Sequence, residues 1–175
     1  PSLTGGLLGG KPQPDVALDS SQCGELQSGG PVPDGCITGV IHCDETVIGH
    51  TAGGTKRFDT RFYEAHHCTP GTTNHDGGDE RIYRLEMPDG DHHADIWLDT
   101  PCADLDLGAM KWSGKECPPP GALIDQCDMW PKDGTEREYV QLVSQRKTTW
   151  LIVVEGKGAE EGAFALTVQC FPGLH

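Results

Sequence analysis

Residues 148–170, TTWLIVVEGKGAEEGAFALTVQC, decide the reading of this chain. From Thr149 to Glu155 the run is almost continuously apolar, the composition of a central strand covered on both faces. From Ala163 to Cys170 the period is two, with Phe164, Leu166, Val168 and Cys170 on one face. GKGAEEG between the two runs supplies the glycines that a tight reversal needs. Two strands joined in this way predict the closing hairpin of a sheet protein.

The same pattern repeats outward from that stretch. Ile37–His42, Thr46–Thr51, Arg81–Met87, Ala94–Leu98, Asp104–Trp112 and Glu138–Val143 are short alternating or apolar runs bounded by turn residues. In RIYRLEM, Ile82 faces away from Tyr83, Leu85 and Met87; in ADLDLGAMKW, Leu105, Leu107 and Ala109 oppose Asp104 and Asp106. No apolar stripe recurs at three and four residues over the length of a helix. With 24 Gly and 13 Pro the chain is rich in turns. The expectation is an all-β, antiparallel sandwich, jelly-roll-like, of about eight strands.

Charge narrows the partners. There are 13 Lys and Arg against 27 Asp and Glu, a net charge of −14, with a mean hydropathy of −0.44. Polyphosphate and anionic membrane surfaces would repel such a chain, so nucleic acid is not an expected partner. No apolar run approaches the roughly 20 residues of a spanning helix, so membrane insertion is not expected either. Eight cysteines, none in a C-x-x-C pair, point to structural disulfides and an oxidising compartment: a secreted or cell-surface protein. An N-terminal Pro in place of Met fits removal of a secretion signal. Eight cysteines allow 105 connectivities. Proximity suggests Cys117–Cys127 around a Pro-rich loop and Cys23–Cys36 around a Gly/Pro-rich one. Cys43–Cys170 would tie first strand to last, leaving Cys68–Cys102 by elimination.

Residues 1–42 differ from the rest and read as an extended Gly/Pro-rich arm, with 171–175 as a short tail. The arm's apolar anchors include Leu7, Leu8, Val16 and Leu18, and Val16 and Leu18 alternate as in a strand. Such a segment could add to the sheet edge of a second copy, making the chain its own partner and generating a head-to-tail filament. The other expectation is that it packs on its own domain.

Four stretches carry a family resemblance: CDETVIGHTAG (43–53), DERIYRLEMPDG (79–90), HADIWLDTPCADLDLGAM (93–110) and the closing segment 148–170. Their order is similar to that of the bacterial pre-peptidase C-terminal domain family, small secreted β-sandwich modules often appended to extracellular proteases. The resemblance spans residues 43–170. It implies a non-catalytic role in adhesion, substrate attachment or structural assembly, and carries no catalytic motif. The segment 56–78 is longer and richer in His than the family's loop, and the insert around Cys117–Cys127 is unusually rich in Pro.

Candidate sites are few. The loop carboxylates Asp76, Asp79 and Glu80, with Asp104 and Asp106, are hard oxygen ligands that would suit Ca²⁺, although the EF-hand spacing is absent. His66–His67, His75 and His92–His93 could contribute to a zinc site only by converging from separate loops. Neither G-x-S-x-G nor H-E-x-x-H occurs. Trp97, Trp112 and Trp130 are candidates for a sugar-stacking surface, whereas Trp150 beside LIVV belongs to the core. The leading functional expectation is therefore a secreted structural or adhesive module. The alternative is a module accessory to a secreted hydrolase that binds polysaccharide, collagen-like protein or cell wall.

Overall fold

Each of the eight alternating runs forms a strand, and two sheets face each other across their apolar sides. The computed structural model describes residues 12–33, 35–68, 74–119, 121–130 and 133–174, with Trp130 described for its backbone only. Leu7 and Leu8 lie outside the described residues. The strands are β1 (Ile37–Val40), β2 (Glu45–His50), β3 (Glu80–Met87), β4 (His92–Asp99), β5 (Leu105–Lys111), β6 (Cys127–Trp130), β7 (Glu138–Ser144), β8 (Thr148–Gly156) and β9 (Ala163–Pro172). One sheet has the order β1-β3-β8-β5-β6 and the other β2-β9-β4-β7.

The main core lies between the sheets. Tyr83, Leu85 and Met87 of β3, Leu105, Leu107 and Ala109 of β5, and Trp150, Ile152 and Val154 of β8 meet Ile96, Leu98, Phe164, Leu166 and Val168 of the opposite sheet. β8 is the central strand of its sheet, because its other face is buried too. There Leu151 and Val153, with Ile82 and Met110, lie beneath Phe58, Phe62 and Tyr63. The last two belong to α1 (Thr60–Ala65), a short helix capped by Asp59, whose carboxylate accepts from the Phe62 N–H at 2.8 Å. At six residues it is too short to show an amphipathic period, which is why the sequence pattern misses it. β6 is missed for a similar reason, being a four-residue edge strand.

Three expectations are corrected by the topology. β8 and β9 are not a hairpin: they lie in different sheets, and the GKGAEEG segment carries the chain from one layer to the other. β1 pairs with β3 in parallel, since the intervening β2 belongs to the opposite sheet and no hairpin can link β1 to β3. Residues 36–42, assigned to the arm, are part of the sandwich, for Cys36 and Ile41 are fully buried and the Ile41 N–H donates to Arg84 O at 3.0 Å. At the other end β9 continues through Pro172, two residues past the expected boundary.

All eight cysteines are bridged: Cys43–Cys170, Cys23–Cys102, Cys36–Cys117 and Cys68–Cys127. The expected Cys23–Cys36, Cys117–Cys127 and Cys68–Cys102 pairs do not form. Proximity in sequence misled because the cysteines staple peripheral segments to the sandwich instead of closing local loops. Cys23 fastens the arm beside β5, Cys117 fastens the Pro-rich loop next to β1, and Cys68 fastens the end of α1 to β6.

The arm packs on its own domain over its described length. Leu18, 4% exposed, sits on Ala163 and Ala165 of β9. The Ala17 N–H donates to Asp99 Oδ2 at 2.8 Å, and Arg137, ion-paired with Asp99, donates to Pro14 O at 2.7 Å. Further along, the buried Arg81 guanidinium donates to His50 O at 2.8 Å and to Gly30 O and Ala52 O at 2.6 Å each. Val16 remains 63% exposed.

Candidate functional site

The acidic residues expected to hold calcium are dispersed. Asp76 accepts from the Thr60 N–H at 3.0 Å, and Asp79 accepts from the Gly53 N–H at 2.9 Å with Lys56 3.7 Å away. Glu80 Oε1 accepts from Thr55 Oγ1 at 3.0 Å and from the N–H groups of Arg57 and Phe58. Asp104 lies in the β4–β5 connection near Lys157 and Glu160, and burial pushes its carboxyl pKa up. Asp106 is held by His75, with Nε2 2.6 Å from Oδ2. Among the described residues no three His, Cys, Asp or Glu side chains are arranged to hold a metal ion. All five carboxylates are engaged within the chain, by N–H groups, Thr55 or His75. The histidines do not converge either. His93 bonds Gly173 O at 2.9 Å and stacks on Phe171, and His66 packs against Phe62.

What the structure does bring together is a buried acidic row in which two of these carboxylates, Glu80 and Asp106, flank Glu155, a residue that the sequence reading did not single out. Glu80, Glu155 and Asp106 are cross-strand neighbours on β3, β8 and β5, facing α1, and all three are fully buried. The Tyr63 hydroxyl donates to Glu155 Oε2, and the Tyr63 ring meets that of buried His75 at 5.1 Å. Glu80 Oε2, Glu155 Oε1 and Asp106 Oδ1 have no other partner. Burial first, then the neighbouring charge of Glu80, pushes Glu155 up to about 10, so that it is protonated at neutral pH. Burial likewise raises Glu80, and it raises Tyr63 far more. The signal in the sequence was Glu155 itself, an acid ending an otherwise apolar central strand. The row is sealed from solvent, so no substrate reaches it.

On the outer face of the four-stranded sheet, Trp97 points away from Ile96 and Leu98, as its strand position requires. Its ring lies 4.4 Å from that of Tyr139 and 4.9 Å from the Arg137 guanidinium, which stacks on it. Arg137 and Tyr139 are two residues apart and so project from the same side of the chain. The Tyr139 hydroxyl donates to Asp95 Oδ1 at 2.8 Å; desolvation, then that bond, push its pKa up to about 12. Trp97 is therefore engaged by side chains of its own sheet.

Trp112 is different. It follows β5 and lines an open cleft of about 450 Å³ together with Lys111, Ser113, Leu123, Asp125, Arg146, Lys147, Thr148 and Thr149. A second hollow, of about 510 Å³, shares Lys111, Arg146 and Thr148 and extends along Gln126 and Val143 to Gln145. One wall is the β7–β8 turn, where the Lys147 N–H donates to Asp89 Oδ1 at 3.1 Å and Thr148 Oγ1 donates to Arg146 O at 2.8 Å. The other is the loop after β5, pinned by Cys36–Cys117 and leading into β6 at Cys127, which is bridged to Cys68. The Trp112 Nε1–H donates to Glu116 O at 2.7 Å, and Gly114 lies so close that a Cβ there would sit 2.7 Å from the indole.

No family model matches the chain, and neither does any curated protein. Among solved structures, the chain is similar to the pre-peptidase C-terminal domain of a collagenase from Bacillus anthracis, at 10% identity. That match covers 76% of this chain and 96% of the other, with a TM-score of 0.45. Among the described residues no helix is long and apolar enough to cross a membrane.

Proposed function

We propose that this chain is an extracellular, non-catalytic module that attaches to a partner outside the cell and performs no turnover. One observation carries the reading: the cluster of acid–base groups that the fold brings into contact is separated from the accessible clefts. Glu80, Glu155, Asp106, His75 and Tyr63 are closed beneath α1, while the open clefts display Lys, Arg, Thr and Trp side chains suited to holding a ligand. Four disulfides support the extracellular assignment, since bridges of this number persist only where thiols are not kept reduced. Docking of Leu18 on its own sheet favours attachment over polymerisation through residues 12–33, because of the alternating Val16–Leu18 pair only Val16 stays exposed.

The test is retention of the oxidised chain on a panel of extracellular polymers: neutral polysaccharide, acidic polysaccharide and fibrillar collagen-like protein. Binding to at least one, with no shortening of the polymer, is the expected result. Release of fragments from any polymer, or passage through all of them unretarded, would overturn the proposal.

A further inference from the structure

We propose that the cleft between the β7–β8 turn and the loop after β5 binds an acidic polysaccharide. Lys111, Arg146 and Lys147 would take the polymer's carboxylate or sulfate groups, and Trp112 would form the wall for a sugar ring. This deepens the attachment reading and rests on it.

Charge placement is the first support. The chain has only 13 cationic side chains against 27 acids, yet three of them line this one cleft. Among the described residues none of the three is ion-paired, unlike Lys56, Arg137 and Lys157 elsewhere. A local cationic patch on a molecule of net charge −14 attracts an anion only over a short range. That suits a polymer with spaced single charges better than the dense phosphates of nucleic acid, which the rest of the surface would repel.

Surface chemistry is the second. Ser113, Thr148 and Thr149 supply hydroxyls, and Asp125 supplies one carboxylate that can accept from sugar hydroxyls. The indole is held in place before any ligand arrives, by its bond to Glu116 O and by the closeness of Gly114. A fixed aromatic wall beside hydroxyls and cations fits a sugar ring bearing an acid group better than a flexible acidic peptide. Leu123, 87% exposed, adds an apolar rim. The adjoining hollow that shares Lys111 and Arg146 lengthens the cleft into a groove, the shape a polymer needs.

Titration calorimetry of the oxidised chain against polygalacturonate, κ-carrageenan (one sulfate per disaccharide), neutral dextran and poly-glutamate tests the site. Binding to polygalacturonate or κ-carrageenan is expected, the one bound showing whether carboxylate or sulfate is taken, with affinity falling as salt is raised. The double variant Lys111→Gln/Arg146→Gln changes two side chains outside the core and should weaken binding at least tenfold with Tm unchanged. Trp112→Leu should weaken it too, and Trp112→Phe should restore part of the loss. Three results would overturn the proposal: no binding to either acidic polysaccharide, equal affinity for poly-glutamate, or full affinity in the double variant. Retention on neutral dextran or collagen-like protein that ignores the double variant would overturn this site while leaving the attachment reading intact.

Discussion

Glu155 illustrates how a buried residue makes stability depend on pH. Its carboxyl has a pKa of about 10 when folded, against an ordinary value of 4.5, so between those limits the folded state holds a proton that the unfolded chain releases. Stability is therefore greatest on the acid side and is lost as pH rises towards 10, at up to about 1.4 kcal/mol per pH unit from this group. Glu80, also raised by burial, acts in the same direction. Calorimetry between pH 6 and 9 should show Tm falling by about 3–6 °C per pH unit. Glu155→Gln should flatten that slope and raise Tm at pH 9. Its amide mimics the protonated acid, accepting from Tyr63 and donating towards the unpartnered oxygens of Glu80 and Asp106. A variant less stable than wild type at pH 9 would mean that Glu155 is ionised in the fold.

At the scale of elements, the question is what holds segments that have no core of their own. The arm depends on Leu18 against Ala163 and Ala165, on Asp99 and Arg137, on Arg81, and on Cys23–Cys102. Leu18→Ala should cost about 2–3 kcal/mol of local docking energy, because the bridge prevents the arm from departing. Hydrogen exchange at the Ala17 amide, which donates to Asp99, should accelerate while exchange in β8 stays slow. Equal acceleration in both would show that the arm is integral to global folding. α1 is held in the same manner, through Phe58, Phe62 and Tyr63 beneath and Cys68–Cys127 at its end.

For the whole molecule, the disulfide network is the decisive constraint. Peptide mapping without reduction should recover Cys23–Cys102, Cys36–Cys117, Cys43–Cys170 and Cys68–Cys127, and any Cys23–Cys36 or Cys117–Cys127 fragment would contradict the architecture. The bridges should also differ in reach. Cys43–Cys170 spans 127 residues and encloses nearly the whole sandwich, so replacing both by Ala should cost about 3–5 kcal/mol of global stability. Replacing Cys23 and Cys102 should chiefly loosen the arm, leaving the sandwich Tm within a few degrees of wild type, as calorimetry of the two variants would show.

The sequence by itself determined that this is an all-β sandwich, which eight runs form strands, and which apolar residues of β3, β5 and β9 share a face, as with Tyr83, Leu85 and Met87 against Ile82. Those are matters of period and apolar burial, which act within a few residues. It also offered Trp97, Trp112 and Trp130 as candidates for a sugar-stacking surface. Only the tertiary structure decided how the strands sort into two sheets, that β8 and β9 part company, which cysteines meet, and that Glu80, Glu155 and Asp106 form one row while Lys111, Arg146 and Trp112 share a cleft. Each of those depends on contacts between residues far apart in the chain, and no local preference encodes which distant surface a segment will meet.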